Sequence, residues 1–285
     1  MAHKADRGAS MKLMHFNVYL GQNCKRDPTM EKLQALEEYL RTRDVDVIGF
    51  TECNNWDVLG VQRIAEKFGF QYAEWLEGKS SYHIVIVSKL PIERQGDSIS
   101  EAPFHHGLLH VKIGGVHVLE VHMSPENSGE RQAEAQAVAR VAAGESVRAG
   151  EPLVVMGDFN NVSPADKSVH AEQRVQETML SSSRAKKLEK RHMKNSQLDY
   201  DPIQVLIEAG LVEVYPDGAP GQLQWTYPTK LRDDQRDDPK IRIDYFFVNQ
   251  ACRDRYHLSS QILVGDAPDS LSDHYPISAQ LILKT

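Results

Sequence analysis

The chain has 285 residues, 33 of them Lys or Arg and 40 Asp or Glu, for a formal net charge of −7 and a pI near 5.9. With 41% hydrophobic and 26% charged residues it has a globular composition, which excludes disordered, collagenous and coiled-coil classes. No apolar run approaches the roughly 18–20 residues of a membrane span, and the mildly acidic balance argues against indiscriminate coating of nucleic acid while leaving room for a local basic surface.

The stretch up to Ser10 is polar and lacks the apolar centre of a signal peptide. It reads as a leader, residues 1–10, before a native start at Met11, so the compartment stays open between cytoplasm and export by a signal peptide not carried here. Cys24, Cys53 and Cys252 contain no Cys-x-x-Cys pair and suggest neither a disulfide framework nor a structural zinc site. Lys12 to Asn17 is apolar and partly alternating, which predicts a strand ending at Asn17. A helix follows, with Asp27 as cap, Pro28 at the first position and Met30, Leu33, Leu36, Tyr39 and Leu40 at three- and four-residue spacing, ending near Asp44. Val45, Val47, Ile48 and Phe50 then form a strand that delivers Glu52, so a β-α-β order brings the Asn17 and Glu52 strand ends together.

Val58, Val61, Ile64, Ala65 and Phe68 predict a second amphipathic helix, and Ile84–Val87 a strand stopped by Leu90-Pro91. Leu108–Ile113 and Val116–Val121, split by Gly114-Gly115, read as a hairpin running into His122. A helix is expected from Glu130 to Val147, and strands over Leu153–Met156 (broken at Gly157-Asp158), Ile241–Val248 and Ile277–Leu283. From Lys167 to Lys194, eight basic and three acidic residues give a local charge of +5. That segment is either a solvated helix-loop insertion or a rim facing phosphate. The mixed-sign stretch from Lys230 to Lys240, with Asp233, Asp234, Asp237 and Asp238, reads as a solvated loop and not a metal cage.

Polar residues without an obvious packing use sit at the ends of these strands: Asn17, Glu52, His122, and Asp158 with Asn160. Arg242-Ile-Asp244-Tyr and Ser272-Asp273-His274 add two aspartates and a histidine. Oxygen ligands without thiolates favour a hard divalent cation, and a cation opposite an aspartate that holds water suits phosphoester hydrolysis. Singly, each residue has a plain structural reading: Asn17 and Asp158 as turn formers, His122 as a buried histidine, Asp244 as an ion-pair partner of Arg242.

Taken in order, Phe-Asn17, Asp46-Val-Ile-Gly-Phe-Thr-Glu52, Val121-His122, Met156-Gly-Asp158-Phe-Asn160, Arg242-Ile-Asp244-Tyr-Phe and Ser272-Asp273-His274-Tyr-Pro-Ile resemble the motifs of the endonuclease/exonuclease/phosphatase superfamily. That group spans DNase I-like nucleases, abasic-site endonucleases, tyrosyl-DNA phosphodiesterases, deadenylases, neutral sphingomyelinases and inositol-polyphosphate phosphatases. The resemblance implies an α+β fold, a four-layer α-β-β-α sandwich of two packed mixed sheets, as a single catalytic domain over 11–285 with a basic insertion at about 162–200. It implies Mg²⁺ or Mn²⁺ held by Glu52 with Asn17 and Asp273 close by, Asp158 orienting or deprotonating water, and Asn160 on a phosphate oxygen. His274, oriented by Asp244, would contact the scissile phosphate or move a proton, and His122 would stabilise the phosphorane or assist the leaving group.

Two departures narrow the resemblance. Cys53-Asn54 and Ser80-Ser-Tyr-His83 replace what abasic-site endonucleases carry, and the region lacks the Glu that DNase I-like enzymes pair with the histidine matching His122, where Tyr82 or His83 could substitute. Trp225, Thr226 and Tyr227 either line the groove or pack in the core. The leading expectation is a metal-dependent phosphodiesterase with a nucleic-acid substrate; the alternatives are a phosphatase or phosphodiesterase for a small or lipid phosphoester, and an inactive binding protein.

Overall fold

The structure is a computed structural model that describes residues 10–23, 30–78, 81–144, 147, 150–217 and 224–285. β1 (Ser10–Asn17) leads to α1 (Glu31–Arg41) and then β2 (Val47–Thr51), which lies parallel to β1. The expected cap at Asp27 and Pro28 lies outside the described residues. The helix stops at Arg41, short of Asp44, because the Thr42 hydroxyl donates to the Tyr39 carbonyl at 2.7 Å and competes with continued helix. The second expected helix is two, α2 (Trp56–Leu59) and α3 (Val61–Phe68): Gly60, at φ +85°, breaks the helical path although the apolar spacing runs through it.

β3 (Tyr72–Leu76), β4 (Ile84–Ser88) and β5 (Ile92–Arg94) precede the hairpin of β6 (Gly107–Ile113) and β7 (Val116–His122). α4 (Ser128–Ala142) starts two residues earlier than expected, where the Asn127 side chain accepts from the Glu130 N–H at 3.0 Å. β8 (Leu153–Asp158) follows. The basic segment folds as α5 (Lys167–Glu172), α6 (Val175–Ser181), α7 (Ala185–His192) and a small hairpin, β9 (Met193–Lys194) with β10 (Gln197–Leu198). It has its own small core of Val175, Met179 and Leu188 against Tyr227, Ile241 and Ile243, so it is packed and not a loose solvated insertion.

After α8 (Asp201–Glu208) and β11 (Val212–Glu213), β12 spans Asp244–Val248 only. The expected start at Ile241 is not reached because Ile241 pairs with Tyr227 in an isolated bridge and not with β8, and the Thr226 hydroxyl accepts the Ile243 N–H at 3.1 Å. The chain closes with α9 (Gln250–Arg255), β13 (Tyr256–Ile262), α10 (Asp266–Leu271) and β14 (Ile277–Leu283).

The strands form two six-stranded mixed sheets, ordered β13-β14-β1-β2-β4-β3 and β11-β12-β8-β7-β6-β5. Each holds one parallel pair, β1 with β2 and β7 with β8, among antiparallel neighbours. The sheets pack face to face through Leu13, Val47, Ile84 and Ile86 on one side and Val111, Val118, Val154, Met156 and Phe246 on the other. Alternate residues face outward: Met14, Phe16, Ile48 and Phe50 meet α1 and α3, and Leu119, Val121, Val155 and Phe247 meet α4 and α8. The result is the four-layer α-β-β-α sandwich, its three apolar interfaces driven by burial of side chains at about 1.5–3 kcal/mol each. Among the described residues no helix is long and apolar enough to cross a membrane.

Candidate active site

The two-residue period of a strand decides which polar residues meet. Leu13 on β1, Val118 on β7, Val154 and Met156 on β8 and Phe246 on β12 point into the inter-sheet core. By the same parity Asn17, His122, Asp158 and Asp244 point inward at the far end of those strands. Strand pairing then brings them together: β7 sets His122 opposite Asp158, β12 sets Asp244 opposite Asp158, and β1 ends beside the turn carrying Glu52. Glu52, His122, Asp158, Asn160, Asp273 and His274 line one cleft of about 320 Å³, and Asn17 and Asp244 lie beneath it.

Asn17 is the hub on the first sheet. Its amide donates to Asp158 Oδ2 at 3.0 Å and to Glu52 Oε1 at 3.3 Å. Glu52 sits at φ +59°, a left-handed conformation that a β-strand exit rarely uses, and its other oxygen accepts from the Leu20 N–H at 3.1 Å. Burial, and then the charge of Asp273, push Glu52 up to about 7. Asp273 accepts from the Gln235 amide at 2.9 Å. Two carboxylates that repel each other in one sheltered corner form a donor set that suits a hard divalent cation, while the Asn17 oxygen accepts from the Tyr19 N–H at 3.0 Å.

Asp158 Oδ1 closes a turn by accepting from the Asn160 N–H at 2.8 Å, which leaves Oδ2 toward the cleft. Both readings of Asp158, turn former and site residue, therefore hold geometrically. Burial raises it to about 6, against the pull of His274. The Asn160 amide donates to the Met123 carbonyl at 3.0 Å, which fixes the side chain at the cleft wall. His274 Nδ1 is 2.9 Å from Asp244 Oδ2, and its Nε2 is 3.9 Å from Asp158 Oδ2. Burial alone would lower His274; Asp244 and then Asp158 overcome it and raise the imidazole to about 10, so it is a cation at neutral pH. Burial opposes ionisation of Asp244 too, but His274 and His15 hold it well below the usual carboxylate range.

His122 is the neutral counterpart. Its Nε2 stands 3.6 Å from Asp158 Oδ2, and its Nδ1 has no partner among the described residues. Burial, and then His106, hold it well below 6.5. Of the two substitutes weighed for the missing Glu, His83 turns away to Asp57 at 3.3 Å, and the Tyr82 ring is 6.3 Å from the His122 ring. The nearer neighbour is His106, stacked on His122 at 4.0 Å and 17°.

Sequence reasoning passed over His15 and Glu120. His15 Nδ1 is 2.5 Å from Glu120 Oε1 and its Nε2 is 3.0 Å from Asp244 Oδ1, so a fully buried chain runs Glu120, His15, Asp244, His274. His15 is raised to about 10 against burial by Glu120 and Asp244. A signal existed: His15 lies two residues before Asn17, and Glu120 two before His122, on the same inward faces. The mixed-sign stretch is also only partly a solvated loop. Asp238 is buried, accepting from Ser182 at 3.0 Å and pairing with Arg184. Tyr227 serves both readings offered for it, packing in the small core and lining the cleft.

The family model described as the endonuclease/exonuclease/phosphatase family matches residues 14–274. Among solved structures, the chain is similar to an AP endonuclease from Archaeoglobus fulgidus, with 17% identity, 96% of this chain and 100% of that chain covered and a TM-score of 0.66. It is similar to the 3′ phosphatase NExo from Neisseria bound to product DNA hairpin, with 19% identity, 96% and 100% coverage and a TM-score of 0.65. The beta toxin of Staphylococcus aureus aligns at 17% identity, 94% and 99% coverage and a TM-score of 0.62. At these identities the likeness carries the fold. No curated protein matches the chain in sequence.

Proposed function

The chain belongs to the endonuclease/exonuclease/phosphatase family, and on that premise we propose that it is a divalent-metal-dependent phosphodiesterase that hydrolyses nucleic acid. The observation that carries the reading is the convergence of Glu52, Asp158, Asp273 and His274 on one cleft that Arg184, Lys187 and Arg191 also line. Two of the similar solved structures are named for action on or binding to DNA.

In this reading Glu52 holds Mg²⁺ or Mn²⁺, with Asn17 and Asp273 beside it. When bound, the cation neutralises a phosphate oxygen and the charge that develops on the leaving oxygen. Asp158, raised to about 6, is ionised at neutral pH yet basic enough to take a proton from the attacking water. Asn160 orients a phosphate oxygen. His274, held protonated by Asp244, puts positive charge beside the phosphate, and His122 contributes a neutral N–H from the other side of Asp158. Among the described residues, the group of three His and carboxylate side chains whose ligand atoms fall within 4.8 Å is Asp158, Asp244 and His274. Both Asp244 oxygens are taken by imidazoles, those of His15 and His274, so we assign this group to proton handling and the Glu52 corner to the cation.

The size of the cleft, about 320 Å³, favours a second reading, a small phosphoester, because ligand pockets run from about 300 to 1,000 Å³. One assay separates the two: hydrolysis with Mg²⁺, Mn²⁺ or EDTA of single- and double-stranded DNA, RNA, sphingomyelin and inositol phosphates, with Asp158→Ala as the contamination control. Cleavage of a nucleic acid that needs the cation and vanishes in Asp158→Ala is expected. Cleavage confined to small or lipid phosphoesters would replace the substrate claim, and silence on every substrate would favour a binding protein. Parent-like turnover in Glu52→Gln would remove the metal assignment.

A further inference from the structure

We propose that α7 carries a second anion subsite, formed by Lys187 and Arg191, that binds a phosphate group adjacent to the one being cleaved. It rests on the reading of the cleft as a phosphoester-cleaving site. Arg184, Lys187 and Arg191 follow three- and four-residue spacing, so they share a helix face, and all three line the cleft that holds Asp158 and His274. Leu188 and His192 occupy the buried side of the same helix.

What singles out Lys187 and Arg191 is that they line the cleft without forming an ion pair among the described residues, with Asp234 and Glu126 attracting them only beyond contact distance. Of the neighbouring cations, Arg184 pairs with Asp238, Arg232 with Asp234 at 2.6 Å, Lys190 with Glu126 at 2.7 Å and Lys194 with Asp201 at 2.7 Å, while Lys186, also without an ion pair among the described residues, is not among the residues lining the cleft. Among the described residues Lys187 and Arg191 make no ion pair. They also repel their surroundings. The shelter of the cleft, then Arg191, Arg184 and Arg232, press the Lys187 amine below its ordinary value. Buried His192 is held neutral partly by Arg131, Arg191 and Arg184. Positive charge at a cleft wall that forms no contact ion pair is relieved by an anion, and guanidinium with ammonium is a strong donor set for phosphate.

The wall is also fixed in place. Arg131, fully buried on α4, donates to the Arg191 carbonyl, to Asn161 Oδ1 at 3.1 Å and to the Ser124 carbonyl at 2.9 Å. Arg184 donates to the Tyr227 hydroxyl at 3.0 Å, and the Tyr227 ring stands 5.2 Å from that of His274. Arg184, on the same helix face as the subsite, is thus linked to the reacting centre through one aromatic side chain. A scissile phosphate held at Asp158, Asn160 and His274 leaves Lys187 and Arg191 to a second one. Such a phosphate comes either from a terminal phosphomonoester or from the next diester of a chain.

The test measures binding by calorimetry in EDTA, so that it does not depend on turnover. Deoxyadenosine 3′,5′-bisphosphate is compared with deoxyadenosine 5′-monophosphate on the parent protein, on Lys187→Ala/Arg191→Ala, and on Lys186→Ala/Lys194→Ala, which removes equal charge from outside the cleft-lining set and leaves the cleft-lining Glu126 paired with Lys190. The parent should prefer the bisphosphate by about tenfold or more, the scale of one charge-assisted contact. That preference should fall to about twofold or less in the first variant and persist in the second. Equal affinity of the parent for both ligands, or a preference that survives Lys187→Ala/Arg191→Ala, would overturn the subsite. Repeating the comparison with a dinucleotide carrying a terminal phosphate and with a trinucleotide lacking one tells a terminal monoester from a neighbouring diester. Failure to hydrolyse any nucleic acid would sink the nuclease reading and leave this binding result standing.

Discussion

His106 is 3% exposed and lies against His122, and burial, and then the charge of His105, lower it to about 3. The unfolded chain takes up a proton near 6.5 that the folded ring refuses, so the stability His106 contributes is present above 6.5 and is lost as pH falls toward 3. His106→Phe keeps an aromatic stack and removes that proton. Denaturant unfolding between pH 6 and 4 should show the variant gaining on the parent by up to about 1.4 kcal/mol per pH unit; parallel curves would contradict the assignment. Asp244 makes a different demand, since it anchors His274 on one oxygen and His15 on the other. Asp244→Asn should lower kcat by about 10²–10⁴, the usual contribution of a positioned proton-transfer group. A change below about threefold, with the fold intact by circular dichroism, would remove His274 from the chemistry.

At the scale of elements, one glycine shows how β2 accommodates a buried charge. Gly49 pairs with His15 across the parallel β1–β2 ladder, and a Cβ placed on it would collide with the Glu120 carboxylate and the Met156 methyl. Gly49→Ala should therefore cost about 1–3 kcal/mol through overpacking, measured by urea unfolding. The loss should shrink when Glu120→Ala is also present, because the obstruction is that carboxylate; strict additivity would refute the contact. Three of the strands that escaped sequence reading are explained at this scale as well. β3, β5 and β13 pair within their sheets at or near the edges, bury little and show no apolar run, as in Tyr256-His-Leu-Ser-Ser-Gln-Ile262. Central strands such as Ile84–Ser88 and Leu153–Asp158, buried throughout, were legible for the opposite reason.

For the whole molecule, the site is where the inter-sheet core turns polar, and its members come from both sheets. A cation that binds the Glu52 corner binds the folded chain alone, since only the sandwich brings Asn17, Glu52 and Asp273 together. Mg²⁺ or Mn²⁺ at a hundred times its Kd should then add about 2.7 kcal/mol to the unfolding free energy. The gain, read as a shift in Tm, should disappear in Glu52→Gln; a parent Tm indifferent to both cations would count against the corner. The proposed site residues were legible in the sequence through recurring local motifs from Phe-Asn17 to Ser272-Asp273-His274, although Asn17, Glu52, His122 and Asp158 end or follow a strand, while Asp244 opens β12 and Asp273 and His274 precede β14. The layer order followed from the same strands and helices through the family resemblance. The inward faces of His15 and Glu120 were legible from strand parity but their pairing was not, and neither were the place of His106 and which cations of the basic segment line the cleft. A local pattern gives the face of a strand or helix and nothing about what stands opposite it. Only strand pairing between residues as distant as Asp158 and Asp244, and the packing of one sheet on the other, placed Glu120 under His15 and set Lys187 and Arg191 on the cleft wall.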